Sequence, residues 1–387
     1  MIPYGRQSIS EDDVEAVAAT LRSDWLTQGP AIDRFEKKVA EYCGARFGVA
    51  VSNGTAALHV ACRAAGLGPG DLCWTTPNSF VASANAALYC GAAVDFVDID
   101  PHTYNIDPVS LEAKLLSAHK LGRLPKVVIP VHFSGQSCRM DAIATLAIRF
   151  GFTIIEDACH AIGGSFQGAR IGSGVTAAMT VFSFHPVKIV TTGEGGMVMT
   201  NDPALRRRLL RLRSHGITRE PDELEHNGDE PWYYEQQELG WNYRITDLQA
   251  ALGISQMSRI DAFVARRAEL AGLYDNLLKA VPVTLPHRDR DLASAHHLYV
   301  IQLDPQRGAV RSRREVFKGM RARGIGVNVH YIPIPAQPYY RRLGFHPEAY
   351  PKASAYYRNA ITLPLYPDMT SSDVQRVVDA LTAELAG

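Results

Sequence analysis

Between residues 47 and 156 the chain switches repeatedly from short apolar runs to helical patterns and back, and this rhythm restricts the fold more than any other feature. Strand-type runs fall at 47–52, 72–76, 93–98, 126–132 and 153–156, with helical patterns at 55–65, 79–89, 108–119 and 140–150 between them. Strands that alternate with helices over this length build βαβ units and a mostly parallel sheet. Runs that are apolar throughout suit strands covered on both faces. In such a sheet, ligands bind in the crevice at the carboxyl ends of the strands. The fold class expected is α/β: a large domain with a mostly parallel sheet, and a smaller C-terminal α+β domain.

The flanks fit that division. Ser10, followed by Glu11, Asp12 and Asp13, reads as an N-cap with acids in the first turn of a helix ending near residue 21. A turn at 24–30 rich in side chains that could face a ligand precedes a second helix at 31–42. Residues 219–242, with Pro221, Gly228, Pro231 and the aromatics Trp232, Tyr233 and Tyr234, read as a long ligand- or partner-facing loop. A helical pattern from 245 to about 278 carries the boundary, giving domains 1–255 and 256–387. Beyond it are expected a strand at 298–303, a basic helix at 313–323, a strand at 326–331 and a closing helix at 373–385. The arginines from 206 to 213 fall at helical spacing and read as a solvated face or subunit contact rather than a phosphate site.

Lysine plus arginine and aspartate plus glutamate each number 40 in the 387 residues. That balance gives no encouragement to nucleic acid or an anionic membrane as partner. No apolar run approaches the length that spans a bilayer, and the first residues lack signal-peptide architecture. The six cysteines are scattered without a CxxC pair, as expected of reduced, mostly buried thiols in a cytoplasmic protein. No metal site is expected.

Four features fall at strand ends. Ser52-Asn-Gly-Thr55-Ala56 follows a strand and opens a helix, where free N–H groups and the helix dipole favour an anion, although a plain N-cap at Ser52 or Asn53 also explains it. Phe80, after the next strand, is either a flat lid on an aromatic ring or core. Asp157 ends a buried strand, where a carboxylate incurs a desolvation cost unless a cation, such as a protonated pyridine nitrogen, faces it. His160 could hydrogen-bond a ring hydroxyl or be a satisfied structural histidine. Ser183 could hold a phosphate oxygen. Lys188 is the sole lysine between Lys126 and Lys279 and sits between apolar residues and a glycine-rich turn. Desolvation there would lower its pKa, as a Schiff-base lysine requires, unless its head reaches water. Together these are the parts of a pyridoxal phosphate site. Neither GxGxxG after the first strand nor GxxxxGK[ST] is present, so nicotinamide and Walker-type readings lose support.

Leu26-Thr-Gln-Gly-Pro30, Glu156-Asp-Ala-Cys-His160-Ala, Ser183-Phe-His-Pro-Val-Lys188, Thr192-Gly-Glu-Gly-Gly196 and Gly240-Trp-Asn242-Tyr-Arg244-Ile-Thr-Asp247 occur in this order. In these the chain resembles, nearly end to end, the fold-type I sugar-nucleotide aminotransferases of the DegT/StrS type. The resemblance implies that Lys188 carries the cofactor and moves the proton, and that Asp157 pairs with the pyridinium nitrogen. It places His160 by the ring hydroxyl, Phe80 on the ring face, and Gly54, Thr55, Ala56 and Ser183 around the phosphate. Asn242 would reach the neighbouring subunit's cofactor, making a homodimer with active sites at the interface. Tyr4, Asp24, Trp25, Leu26, Thr27, Asn328, His330 and Tyr331 would line a nucleotide-sugar pocket, and Arg219 would meet a diphosphate or the donor's carboxylate. The substrates implied are L-glutamate and a UDP-linked 4-keto-6-deoxy-2-acetamido sugar. Other readings are a GDP- or dTDP-linked keto sugar, a deoxysugar dehydratase (disfavoured, because such members carry histidine where Lys188 stands) and a catalytically idle regulatory relative. Ile334-Pro-Ala-Gln-Pro338 departs from the histidine-containing stretch usual in members that act on the UDP sugar.

Overall fold

The computed structural model describes residues 1–226, 230–289, 291–308 and 311–386. Gly228, within the stretch read as a long loop, lies outside them. The central sheet and its neighbourhood contain β1 (Phe47–Val51), β2 (Leu72–Thr75), β3 (Ala93–Phe96), β4 (Val127–Ile129), β5 (Thr153–Asp157), the short hairpin β6 (Ser165–Phe166) and β7 (Ala169–Arg170), then β8 (Met179–Ser183) and β9 (Gly196–Thr200). The seven-stranded sheet has the order β1-β9-β8-β5-β4-β2-β3. β2, β3, β4, β5 and β8 pair in parallel, while β9 runs antiparallel to both β8 and β1. Six strands therefore point one way, and their carboxyl ends share one edge. Nearly all residues of β1, β4, β5, β8 and β9 are buried, as strands covered on both faces must be.

The expected helices form. Pro30–Cys43 ends on Gly44 in the left-handed region at φ 77°, and Pro108–Lys120 starts from Asp107, whose side chain accepts the Val109 N–H. The helix after β2 begins at Ala82, later than expected, because Asn78 and Ser79 are drawn into tertiary and local bonds: Asn78 Nδ2 donates to the Tyr104 carbonyl, and Ser79 Oγ lies 2.7 Å from Ser83 Oγ. The continuous pattern at 245–278 is two helices, Asp247–Met257 and Ile260–Leu277. They break at Arg259, whose guanidinium turns back to the Ser8 carbonyl and the buried Asp13 carboxylate.

Two apolar cores divide along the second of these helices. Ile260 and Phe263 pack with Phe35, Phe182 and Phe184 near the sheet, whereas Leu270, Ala271 and Tyr274 join a separate core with Tyr299, Met320, Leu381 and Ile2. The smaller core rests on a three-stranded antiparallel sheet, Val283–Thr284, Tyr299–Leu303 and Ala360–Leu363, with Arg313–Ala322 and Ser371–Ala386 as helices. The strand expected at 326–331 does not form. Asn328 makes a single bridge to Thr362, and the following residues cross to the larger sheet, with the Ile334 N–H donating to the Pro77 carbonyl at 2.9 Å. The segment thereby becomes part of a pocket wall.

Asp247, 1% exposed, caps the helix Pro30–Cys43 from a distance. Its carboxylate accepts the N–H groups of Gly29 and Ala31 at 2.8 and 3.0 Å and so fixes the turn at 24–30. Asp247→Ala orphans both donors and is expected to cost about 2–3 kcal/mol, seen as a lower urea midpoint at unchanged m-value.

Candidate active site

A cavity of about 810 Å³ opens at the carboxyl edge of the sheet, between it and residues 328–331. One end is built by the turn after β1. Asn53 is the N-cap of the helix Gly54–Ala64, and its side chain accepts the Ala56 N–H at 2.8 Å. Of the residues expected to hold an anion, Ala56 thus has its N–H engaged, while those of Gly54 and Thr55 have no hydrogen-bond partner among the described residues. The turn lies hard against the neighbouring strands. A Cβ on Gly54 would stand 2.9 Å from Ser183 Cβ, and one on Gly196 would stand 2.4 Å from the Asn53 carbonyl oxygen. Only glycine permits this approach, which brings two free N–H groups, the Thr55 hydroxyl and the Ser183 hydroxyl into one cup at a helix N-terminus. That is donor chemistry suited to a phosphate.

Asp157 ends β5 and is 5% exposed. Ser83 Oγ donates to its Oδ2 at 2.6 Å and the Cys159 N–H to its Oδ1 at 3.2 Å. These two bonds orient the carboxylate, but no cation is salt-bridged to it among the described residues. An ionised group this deep costs several kcal/mol without a counter-charge. A cationic ring nitrogen in the cavity would meet that need.

Lys188 follows a turn closed by its own N–H on the His185 carbonyl at 2.9 Å, and it lines the same cavity. Desolvation lowers its ammonium pKa, and the nearby Cys159 and Asp157 offset only part of this. The neutral, nucleophilic amine is therefore more available than on a surface lysine. Three imidazoles stand close by. Desolvation, with Lys188 adding to it, holds His160 and His297 well below the usual histidine range and His330 at about 3, so all three are neutral near pH 7. The rings of His160 and His297 are 4.4 Å apart, and His330 Nδ1 lies 2.8 Å from Thr362 Oγ1.

The cavity gathers Gly54, Thr55, Ala56, Phe80, Asp157, His160, Ser183 and Lys188 with Tyr4, Asn328, His330 and Tyr331. Phe80 is 58% exposed, so it is a cavity wall and not core. Asp24, Trp25, Leu26, Thr27, Arg219 and Asn242 do not line it. Trp25 instead borders a separate 460 Å³ hollow with Arg213 and Arg244, Arg219 stacks over Tyr234 at 5.7 Å, and Asn242 is exposed beside Ser214. Sequence reasoning passed over Ser83, Cys159 and His297. Ser83 lies one helical turn beyond Ser79 on the face towards β5, a spacing that could have drawn attention. His297 enters from the irregular segment just before the strand Tyr299–Leu303 and has no local signal.

The DegT/DnrJ/EryC1/StrS aminotransferase family matches residues 7–382. The chain is 40% identical over 384 residues to the spore coat polysaccharide biosynthesis protein SpsC of Bacillus subtilis (98% of this chain, 96% of that one). It is 35% identical over 383 residues to the UDP-4-amino-4,6-dideoxy-N-acetyl-beta-L-altrosamine transaminase of Campylobacter jejuni, with the same coverage. Among solved structures it is similar to Helicobacter pylori PseC, an aminotransferase involved in pseudoaminic acid biosynthesis, with TM-score 0.90 and 28% identity over 100% of this chain and 99% of that one. It is also similar to the sugar aminotransferase Spr1654 of Streptococcus pneumoniae in its PLP form, with TM-score 0.88 and 28% identity over 100% and 98%. The phosphate cup, buried carboxylate and desolvated lysine fit the cofactor carried by that neighbour. The chain belongs to the DegT/DnrJ/EryC1/StrS aminotransferase family, as a sugar aminotransferase whose cofactor is pyridoxal phosphate.

Proposed function

We propose that this enzyme moves an amino group from L-glutamate to the 4-keto carbon of a UDP-linked 4-keto-6-deoxy-2-acetamido sugar. The observation that carries the transfer chemistry is the desolvated Lys188 in one cavity with Asp157 and the free donors of Gly54, Thr55 and Ser183. The similarity to the Campylobacter transaminase supports the choice of sugar.

Bound pyridoxal phosphate supplies an electron sink and carries nitrogen between two half-reactions, the first of which releases 2-oxoglutarate. The protein contributes position and proton transfer. The Gly54 and Thr55 N–H groups and the Ser183 hydroxyl hold the phosphate, and Asp157, oriented by Ser83, keeps the ring nitrogen protonated. The Lys188 amine would hold the cofactor and, when free, would take a proton from the substrate carbon and return it as general base and acid. Phe80, a wall of the cavity, would cover the ring. Tyr4, Asn328, His330 and Tyr331 form the sugar wall. Asp24, Trp25, Leu26, Thr27 and Arg219 lie outside the cavity of their own chain, and Asn242 would reach the cofactor of a second copy in a homodimer. We divide the protomer into a large cofactor-binding domain, 1–255, and a smaller one, 256–387.

The higher identity to SpsC favours, as a second reading, another nucleotide keto sugar destined for a polysaccharide. Incubation with glutamate and a panel of UDP-, GDP- and dTDP-linked 4-keto sugars separates the two, with products identified by mass and NMR. The UDP-linked acetamido sugar is expected to be aminated fastest. Preference for a GDP- or dTDP-linked sugar would overturn the assignment.

A further inference from the structure

Ser134 lies beyond β4, where the chain passes beside His160, with φ at 62°. A left-handed backbone is unfavourable for a residue with a side chain, and here residues 295–298 hold it in place. The N–H groups of His297 and Leu298 donate to the Ser134 carbonyl at 3.0 and 3.3 Å, and the Ala295 N–H to that of Gly135 at 3.0 Å. The Ser134 hydroxyl donates to the Leu298 carbonyl at 2.6 Å. Behind them the buried Arg267 guanidinium donates to the carbonyls of His297 and Leu365 at 3.2 and 2.9 Å. What this anchoring fixes is the direction of one donor: the Ser134 N–H, which points at His160 Nδ1 from 3.3 Å.

A ring nitrogen that accepts a hydrogen bond carries no proton, so a neutral His160 must carry its proton on Nε2. Burial, reinforced by Lys188 and His330, keeps the ring from taking a second. Nε2 lies 3.1 Å from Tyr331 Oη and donates to it. Having accepted there, Tyr331 keeps its own hydroxyl hydrogen, because burial pushes the phenol pKa up. Tyr331 lines the cavity between Phe80 and His330, with ring centroids 6.3 and 4.8 Å away.

We propose that Ser134, His160 and Tyr331 form a one-way hydrogen-bond chain whose last donor, the Tyr331 hydroxyl, takes an acceptor oxygen of the sugar substrate. Ser134 is then a positioning residue that acts through His160, and the segment 295–298 exists in part to aim it. Donors aligned in one direction polarise each other, so the terminal hydroxyl binds more strongly than an isolated one. The role of Tyr331 rests on the reading that a nucleotide sugar enters this cavity; the tautomer of His160 does not.

The test has two arms. In protein labelled with nitrogen-15 histidine, with His160 assigned by loss of its signals in His160→Gln, Nδ1 is expected in the unprotonated range and Nε2 in the protonated range at neutral pH. The reverse pattern, or two protonated nitrogens, overturns the chain. In the holoenzyme, Tyr331→Phe is expected to raise KM for the nucleotide sugar roughly tenfold, with a much smaller change in KM for glutamate, while the His160 tautomer stays as in the parent. An unchanged sugar KM, or a switched tautomer, overturns the proposal. If the parent enzyme aminates no sugar at all, the reading of function fails instead, and the nitrogen signals still decide the tautomer.

Discussion

Lys188→Ala is expected to abolish amine transfer, with turnover falling by at least about 10³-fold, because in the proposed function one side chain serves as both nucleophile and proton carrier. The effect is expected in both half-reactions: glutamate no longer yields 2-oxoglutarate, and a preloaded amino form no longer aminates the sugar at a useful rate. The fold should survive, since Lys188 contributes an amine to a cavity wall and stands outside the apolar cores. Thermal unfolding of the variant checks this. Added primary amines should restore part of the proton transfer, whereas loss from misfolding would not respond to them. The pH dependence has a defined sign. Desolvation lowers the lysine pKa, so the neutral amine is available at lower pH than on a surface lysine, and activity falls as acid protonates it.

Asp157→Ala is the second large loss, on the order of 10²–10³-fold in turnover. The carboxylate is buried and held by Ser83 and the Cys159 N–H, so its negative charge is directed into the cavity. In the proposed function, its removal would take from the ring nitrogen the partner that keeps it protonated and so weaken the cofactor as an electron sink. Asp157→Asn keeps the shape and removes the charge, so it should bind cofactor more tightly than the alanine variant while remaining nearly as slow. Equal turnover of the asparagine variant and the parent would show that charge at this position is irrelevant. Stopped-flow measurement of the glutamate half-reaction separates this defect from weakened cofactor binding.

The parts legible in the sequence are those whose physics is local. β1 to β5 announce themselves as apolar runs between helical patterns, and Asp157 and Ser183 stand at strand ends where a parallel sheet places functional groups. No strand forms at 326–331, where the alternating apolar residues do not reveal where the backbone donors go. Beyond Asn328 the chain crosses to the larger sheet, where the Ile334 N–H donates to the Pro77 carbonyl, and residues 328–331 line the cavity. Gly196–Thr200 was passed over for a related reason. Its place between β1 and β8 depends on a chain reversal and on the close approach of Gly196 to Asn53, neither of which appears in periodicity. His297 and Ser134 matter only through contacts between segments distant in sequence. The same holds for Ala56: a small residue in the first turn looks open to an anion until Asn53 is seen to hold its N–H.

The central claim is that vitamin B6 aldehyde is joined to one amine in this chain. Borohydride reduction of the purified protein, followed by proteolysis and mass spectrometry, fixes the cofactor to whichever lysine bears it. The pyridoxyl group is expected on the peptide containing Lys188 and on no other. Its recovery on a different lysine, or a protein that takes up no pyridoxal phosphate when saturated with it, would contradict the account.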